Sequence, residues 1–257
     1  MTEIKFLKKK TFKNAIMFSG LPGIGLVGKI AVDYMLKHFK AEKIAEITSS
    51  SFPPSIHTKK SIIELIKDDL YHYKFKGKDY VFLAGPVQPP LDATTFSAEA
   101  HYEFAEQIVL AAKKLGVKEI YTLAGINVGE KRMNAEPKII VAATDKKIIE
   151  EFKKLHAIEG HEEGLISGAA GLIIGLGIKH DLKGACIMGE TNARLIYGDH
   201  GSAKKIIELL SAKFGFKVKM DQIEKEAKEI EKAFQQLSKQ LEDEQEDMPE
   251  KGLPYVR

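Results

Sequence analysis

Short apolar runs alternate with helix-type patterns along most of this chain. Short apolar runs between turn residues predict strands. They are Ala15–Ser19, Lys43–Thr48, Ile62–Ile66, Tyr80–Ala84, Glu119–Ala124, Lys138–Ala142 and Gly184–Met188. Apolar residues spaced by three and four predict helices at Ile24–Phe39, Ser97–Leu115, Asp145–Leu155, Leu165–Leu176 and Ser202–Phe214. This alternation predicts a three-layer α/β fold, in which a mostly parallel sheet lies between helices on both faces.

The pattern changes after Val218, where charged residues surround a regular apolar stripe. We therefore predict an α/β domain over residues 1–218, an amphipathic helix over 219–247 and a flexible tail over 248–257. A stripe of this kind usually packs on the helix's own domain. The alternative is a seam between copies in an oligomer, formed by Ile223, Ile230, Phe234, Leu237 and Leu241.

Composition narrows the possible classes of protein. The 257 residues carry a net charge of only +3, which gives no electrostatic case for binding nucleic acid. The longest apolar stretch, Leu165–Ile178, is too short to span a membrane, and the first residues contain no signal-peptide core. The single cysteine, Cys186, lies in an apolar run that predicts a buried position. We expect a cytoplasmic protein that binds neither nucleic acid nor membrane.

The loop after the first predicted strand contains Gly20, Gly23, Gly25, Gly28 and Lys29. Its glycine spacing fits a dinucleotide-binding fingerprint, and Glu46 in the next strand is the acid that could meet a ribose. The same residues fit a phosphate-binding loop except at Ile30, which replaces the hydroxyl residue that would hold magnesium. The loop therefore predicts either a phosphate site or only a tight turn with close helix packing.

Polar residues follow two other predicted strands. Asn127, Glu130 and Arg132 come after one strand, and Glu190, Asn192 and Arg194 come after another. Ligands of open α/β sheets bind beyond the carboxyl ends of the strands, so these residues are the best candidates for contacting a small molecule. Hydrogen bonding within long loops is the commoner use of such residues. The histidine and cysteine spacings predict no metal site, and no cofactor is predicted.

Five segments together resemble the proteasome assembly chaperone family in its archaeal branch. They are FSGLPGIGLVGKIAVDYM, AGPVQPP, GINVGE, GLISGAAGLIIGLG and CIMGETN, and they span roughly residues 14–216 in the family's order. The resemblance implies a phosphorylase/hydrolase-like α/β domain, homo-oligomerisation or pairing with a paralogue, and no catalytic activity. It also implies the proteasome core particle or its α-type subunits as partner.

The resemblance further points to the last residues, Leu253, Tyr255, Val256 and Arg257. Those members of the family that engage the core particle do so partly through a hydrophobic–Tyr–any-residue motif at the C-terminus, where the aromatic ring is buried and the carboxylate pairs with a basic residue. Tyr255 is third from the end here, whereas the motif has it second. The sequence thus favours a proteasome chaperone or adaptor, and the alternative is a nucleotide or small-molecule-binding protein of ligase or transferase type.

Overall fold

The computed structural model describes residues 1–90, 98–160, 163–229 and 232. Its strands are β1 (Thr2–Phe6), β2 (Ala15–Gly20), β3 (Glu42–Ser49), β4 (Ile56–Lys59), β5 (Ile62–Leu65), β6 (Asp68–Phe75), β7 (Lys78–Ala84), β8 (Val117–Asn127), β9 (Ile139–Ala143), β10 (Ile158–Glu159) and β11 (Lys183–Thr191). Its helices are α1 (Val27–His38), α2 (Ala98–Lys114), α3 (Lys146–Lys153), α4 (Gly168–Lys179) and α5 (His200–Phe214).

Within the described residues, nine strands form one mixed sheet in the order β1-β3-β6-β7-β2-β8-β11-β9-β10. The centre, from β7 through β2 and β8 to β11, is parallel. On one side β1, β3, β6 and β7 pair antiparallel, and on the other side β9 runs antiparallel to β11. The predicted α/β fold is confirmed, and its parallel part is the centre of the sheet.

Helices cover both faces of this sheet. On one face α1, α3 and α5 bury Phe18, Phe82 and Tyr121 in an aromatic cluster that also includes Phe216. On the other face α2 and α4 bury a second cluster around Phe104. Every residue of β2 is buried, which explains why this strand is apolar throughout rather than alternating. The layers are therefore helix, sheet and helix, as the sequence predicts.

The glycine loop and Glu46 do not lie on neighbouring strands of the sheet. Although β2 and β3 are joined through α1, β6 and β7 lie between them in the sheet. Glu46 on β3 is thus three strands from β2 and bonds Lys43 and Lys67 at 2.8 and 2.9 Å. A dinucleotide fold needs its acidic strand beside the glycine-loop strand, so the ribose role considered for Glu46 is wrong.

Three predicted elements differ in where they begin or in which strand they pair with. The helix predicted from Ile24 begins only at Val27, because Gly25 and Leu26 have φ values of 59° and 50° in the left-handed region. The helix predicted from Leu165 begins at Gly168, after Ser167 in extended conformation. The strand predicted at Ile62–Ile66 exists, but it pairs with β4 in a separate two-stranded hairpin.

Beyond α5 the chain returns to its own domain. Residues 221–229 are helical, and Ile223 is fully buried against the α1–α5 face. The Tyr34 hydroxyl of α1 donates to the Lys219 carbonyl at 2.8 Å and accepts from the Ile223 amide at 3.3 Å. The first turns of the predicted amphipathic helix therefore pack on this domain. The predicted positions Ile230, Phe234, Leu237 and Leu241, and Leu253, Tyr255, Val256 and Arg257 of the tail, lie outside the described residues.

None of the described helices is both long and apolar enough to cross a membrane.

Candidate functional site

The glycine loop and the loops after β7, β8 and β11 meet at the carboxyl end of the parallel strands, as the sequence predicts. The backbone carbonyl of Gly25 accepts the Asp199 amide at 2.7 Å, which ties the glycine loop to the loop after β11. The Val128 amide donates to the Thr191 carbonyl at 2.9 Å and joins the loops after β8 and β11. This edge is the natural place to look for a ligand.

The glycines of the loop are required by packing. A Cβ atom on Gly28 would lie 1.9 Å from the Leu123 carbonyl oxygen, and one on Gly20 would lie 2.3 Å from the Gly28 carbonyl oxygen. Gly25 has φ 59° and faces Thr191, whose hydroxyl would be 2.3 Å from an added Cβ. Only Gly23 has room, since its nearest neighbour would be 4.0 Å away. The space beside Gly20, Gly25 and Gly28 is thus filled by neighbouring protein atoms, which supports the tight-turn interpretation.

Lys29 does not turn toward the glycine loop. Its ammonium group pairs with Asp33, one helical turn further along α1, at 2.6 Å. It lines a groove between α1 and the β4–β5 hairpin, on a different side of the loop. A phosphate-loop lysine must reach the phosphates that the loop encloses, so this geometry weighs against a nucleotide site.

A cavity of about 210 Å³ does lie between the glycine loop and the start of α4. Its polar groups come from Ser19, Gln88, Asn127 and Ser167, and the described part of its wall contains no charged side chain. The Gln88 amide is already occupied, because it donates to the Pro22 carbonyl and accepts the Ala169 amide at 3.2 Å. The cavity is suited to an uncharged apolar group rather than to a phosphate.

A buried ion pair holds the loops together. Arg132 donates from Nε and Nη2 to the two carboxylate oxygens of Asp199, at 2.8 and 2.9 Å, and both side chains are buried. Asp199 also accepts from the Thr191 hydroxyl at 2.9 Å and from the Ser202 amide at 2.8 Å, where it caps α5. Asp199 is thus the N-cap residue of α5. A bidentate pair with further hydrogen bonds satisfies both charges in the interior.

The other predicted polar residues also bond to the loops themselves. The Asn127 side-chain oxygen accepts the amides of Gly129 and Ala193 at 3.2 and 3.1 Å. One Glu190 oxygen accepts the Lys138 amide at 3.0 Å, while the other pairs with Lys131 at 3.2 Å.

The last three predicted polar residues form local contacts as well. The Asn192 side chain accepts the Arg194 amide at 2.9 Å. The Arg194 guanidinium pairs with Glu130 at 2.9 Å in an exposed bridge. Structural bonding of the loops, the commoner use of such residues, thus accounts for the contacts of Asn127, Glu130, Glu190, Asn192 and Arg194 that the structure shows.

One buried carboxyl at this edge has no counterpart in the sequence analysis. Asp68, at the start of β6, is fully buried and accepts the Val87 amide at 3.4 Å. The absence of a side chain on Gly85 makes room for it, since an added Cβ would lie 1.7 Å from an Asp68 oxygen. Burial raises the pKa of Asp68 well above its ordinary value. A sequence pattern gives no signal for it, because Asp68 and Gly85 meet only through the pairing of β6 with β7.

Nucleophile and metal chemistry find little support in the described residues. Cys186 is buried, as predicted, and burial raises the pKa of its thiol to about 11, so it is not a reactive thiolate. Among residues 1–90, 98–160 and 163–229, no three His, Cys, Asp or Glu side chains are grouped to bind a metal ion.

Comparison with known proteins identifies the family. Residues 17–238 match the PAC2 family. This chain belongs to the PAC2 family. The match includes the glycine loop, the Arg132–Asp199 pair and the cavity wall, and it confirms the resemblance to proteasome assembly chaperones.

Relatives extend this finding. An uncharacterised protein of Methanocaldococcus jannaschii is 30% identical over 245 residues, which is 93% of this chain and 91% of that protein. The structure of Pyrococcus furiosus PbaB, described as an archaeal proteasome activator, is similar with a TM-score of 0.82 and 29% identity, and covers 92% of this chain and 98% of its own. Pyrococcus furiosus PbaA, described as an archaeal homologue of a proteasome-assembly chaperone, has a TM-score of 0.71, 22% identity and 95% coverage of both chains, which shows the shared fold.

Proposed function

We propose that this PAC2 protein is a non-enzymatic, oligomeric chaperone or adaptor of the proteasome system, which binds the core particle or its α-type subunits. The observation that carries the proposal is the similarity to PbaB, at a TM-score of 0.82 over 92% of this chain with 29% identity. Its second partner is another copy of itself or a paralogue. No nucleic acid or membrane is required for this role.

The carboxyl edge supports a role without catalysis. Its polar residues bond to one another, Gly20 and Gly28 are packed against neighbouring backbone, and Lys29 pairs with Asp33 on another side. An active site of ligase or transferase type would need charged groups aimed into a cavity, and the described wall of the 210 Å³ cavity has none. The nucleotide-binding alternative has no specific observation in its favour.

The tail remains the proposed contact with the core particle. Tyr255 would supply buried aromatic area, Leu253 and Val256 would add apolar contacts, and the carboxylate of Arg257 would pair with a basic residue. The tyrosine is displaced by one residue from the family's motif, which moves its ring by about 3 Å along an extended chain. One tail binds weakly, so several tails on an oligomer provide the affinity.

The test is co-sedimentation with purified core particle. The intact protein is compared with a chain that ends at Pro254 and with a Tyr255→Ala variant, and Lys251→Ala serves as a matched control upstream in the tail. We expect the intact protein and the control to co-sediment and the other two variants to remain unbound. Binding by the shortened chain would move the contact away from the tail. Absence of binding by the intact protein to both core particle and free α-type subunits would refute the proposed function.

A further inference from the structure

Strands β4 and β5 form an arm, residues 56–65, that is separate from the large sheet. They pair antiparallel with Ile56 opposite Leu65 and Lys59 opposite Ile62. All eight strand residues are exposed, including Ile63 at 67% and Leu65 at 69%. Large apolar side chains gathered on an exposed element mark an interaction surface.

The arm is not built to be stable by itself. A two-stranded hairpin is marginally stable in water unless it packs on another surface. Its turn residues, Lys60 and Ser61, have φ values of 51° and 63°, in a region that favours glycine or asparagine. The arm thus combines short strands, a strained turn and uncovered apolar side chains. These properties are expected of an element whose apolar face is covered in an assembly.

One face of the arm carries most of the apolar surface. Residues that are opposite each other or two apart along a strand share a face, so Ile56, Thr58, Ile63 and Leu65 lie together. The other face carries His57, Lys59, Ile62 and Glu64. The turn adds Lys60, so the tip of the arm is basic while its apolar face is uncharged.

A groove lies beside the base of the same arm. This base groove, of about 560 Å³, is lined by Phe52, Pro53 and Pro54, together with Leu65 at the arm's own base. Glu3 is the one charged side chain among its described lining residues, and it is exposed. The amino group of Met1, which also lines the groove, bonds the Ser50 hydroxyl. The groove therefore combines apolar lining residues with the hydroxyl residues Thr48, Ser49, Ser50 and Ser55, and Glu3 shares it with the positively charged amino group of Met1.

We propose that the arm of one copy lies in the base groove of a second copy, and that the exchange is reciprocal about a two-fold axis. The chain supplies both halves of the contact, an arm with an apolar face and a basic tip, and a groove in which Phe52, Pro53 and Pro54 lie beside Glu3. Strands of four residues span about 13 Å, so antiparallel placement carries each tip past the partner's arm to the partner's base. There Lys60 faces the partner's Glu3.

The reciprocal arrangement doubles the contact, because every copy contributes both an arm and a groove. This favours reciprocal exchange, since a stable interface needs roughly 800 Å² from each partner. In a two-fold contact the same patch serves on both sides, so it must be self-complementary. Parallel placement of the arms would bring the two basic tips together, which disfavours that alternative. The proposal rests on the homo-oligomeric part of the proposed function and not on the proteasome contact.

Sedimentation velocity across the micromolar range tests the arm. Ile63→Asp places a charge on its apolar face, and Ile178→Asp is the matched control at the exposed end of α4, on the opposite edge of the sheet. We expect the intact protein and Ile178→Asp to sediment as oligomers and Ile63→Asp as a 28.6 kDa monomer. Far-UV circular dichroism verifies that both variants are folded. An oligomer that survives Ile63→Asp would overturn the arm exchange alone, whereas a monomeric intact protein would overturn self-association as well.

A charge exchange identifies the occupant of the groove. Lys60→Glu and Glu3→Lys each place like charges across the contact, and we expect each to raise the dimer dissociation constant about tenfold. The double variant restores opposite charges and should return to within about threefold of the intact protein. Losses that simply add would refute the pairing of Lys60 with Glu3. Core-particle co-sedimentation of the same variants is scored separately, so failure of the arm is distinguishable from failure of the proteasome role.

Discussion

The close approach of α1 to β8 makes Gly28→Ala a decisive substitution. By helix propensity alone, alanine in the first turn of α1 should stabilise the protein by about 1 kcal/mol relative to glycine. The structure predicts the opposite sign, because the new Cβ would lie 1.9 Å from the Leu123 carbonyl oxygen. The Cβ is fixed directly to the backbone of α1, and the atoms that it meets are backbone atoms of Leu123 and Ala124. Rotation of a side chain therefore cannot relieve the contact.

The magnitude follows from the movement required. A carbon–oxygen contact at van der Waals distance requires the start of α1 to move by about 1.5 Å. That movement disturbs Val27, Ala31 and Val32, all fully buried. Overpacking of this kind costs about 1–3 kcal/mol, so we expect a net loss near 2 kcal/mol and a fall in melting temperature of about 4–8 °C.

The matched control is Gly23→Ala in the same loop. Gly23 has extended backbone at φ −158°, and the nearest atom to an added Cβ is 4.0 Å away. We expect its stability to stay within about 0.5 kcal/mol of the intact protein. Urea and thermal unfolding of both variants provide the measurement. Equal effects of the two substitutions, or a stable Gly28→Ala protein, would refute the packing explanation of the glycine loop.

Two further predictions concern the loop network and the pH dependence of stability. Arg132→Met leaves Asp199 buried without its bidentate partner and should lower the free energy of unfolding, measured in urea, by about 3–5 kcal/mol. A loss under about 1 kcal/mol would contradict the conclusion that this ion pair holds the loops together. The bonds from Lys43 and Lys67 lower the pKa of Glu46 from 4.5 to about 2. A lowered carboxyl pKa stabilises the folded state above the unfolded value, and this contribution is lost as pH falls from about 4.5 through 2. Glu46→Gln should therefore reduce the fall in melting temperature between about pH 4.5 and pH 2. An unchanged fall in melting temperature over that range would count against the lowered pKa of Glu46.

The elements predicted correctly from sequence are those whose burial is simple. β2 and β7 lie in the parallel centre and are apolar in continuous runs, so length and composition suffice to predict them. β1 and β6 were missed for a physical reason. β1 sits at the sheet edge and alternates buried with exposed residues amid lysines, and β6 contains two aspartates, of which Asp68 is buried only because Gly85 faces it.

The site was predictable in part. The strand-end loops and their polar residues follow from the α/β pattern, and their meeting at one edge is a general property of parallel strands. The pattern does not predict which residues at that edge pair with each other. Arg132 and Asp199 are 67 positions apart, and their contact depends on the parallel pairing of β8 with β11. Lys29 likewise fits a phosphate-loop pattern in sequence, and only the structure shows it paired with Asp33.

The hydrogen bonds between Tyr34 and residues 219–223 have a consequence for how the C-terminal segments of an oligomer are spaced. Because Ile223 is buried and the Tyr34 hydroxyl holds the backbone on either side of it, residues 219–223 have one fixed place on the α1–α5 face. In a closed symmetric assembly, these places are related by the same rotation as the domains. The spacing between the C-terminal segments would then follow from the symmetry of the oligomer. A change in the number of copies would change this spacing, and with it the arrangement of pockets on a partner that several segments can occupy together.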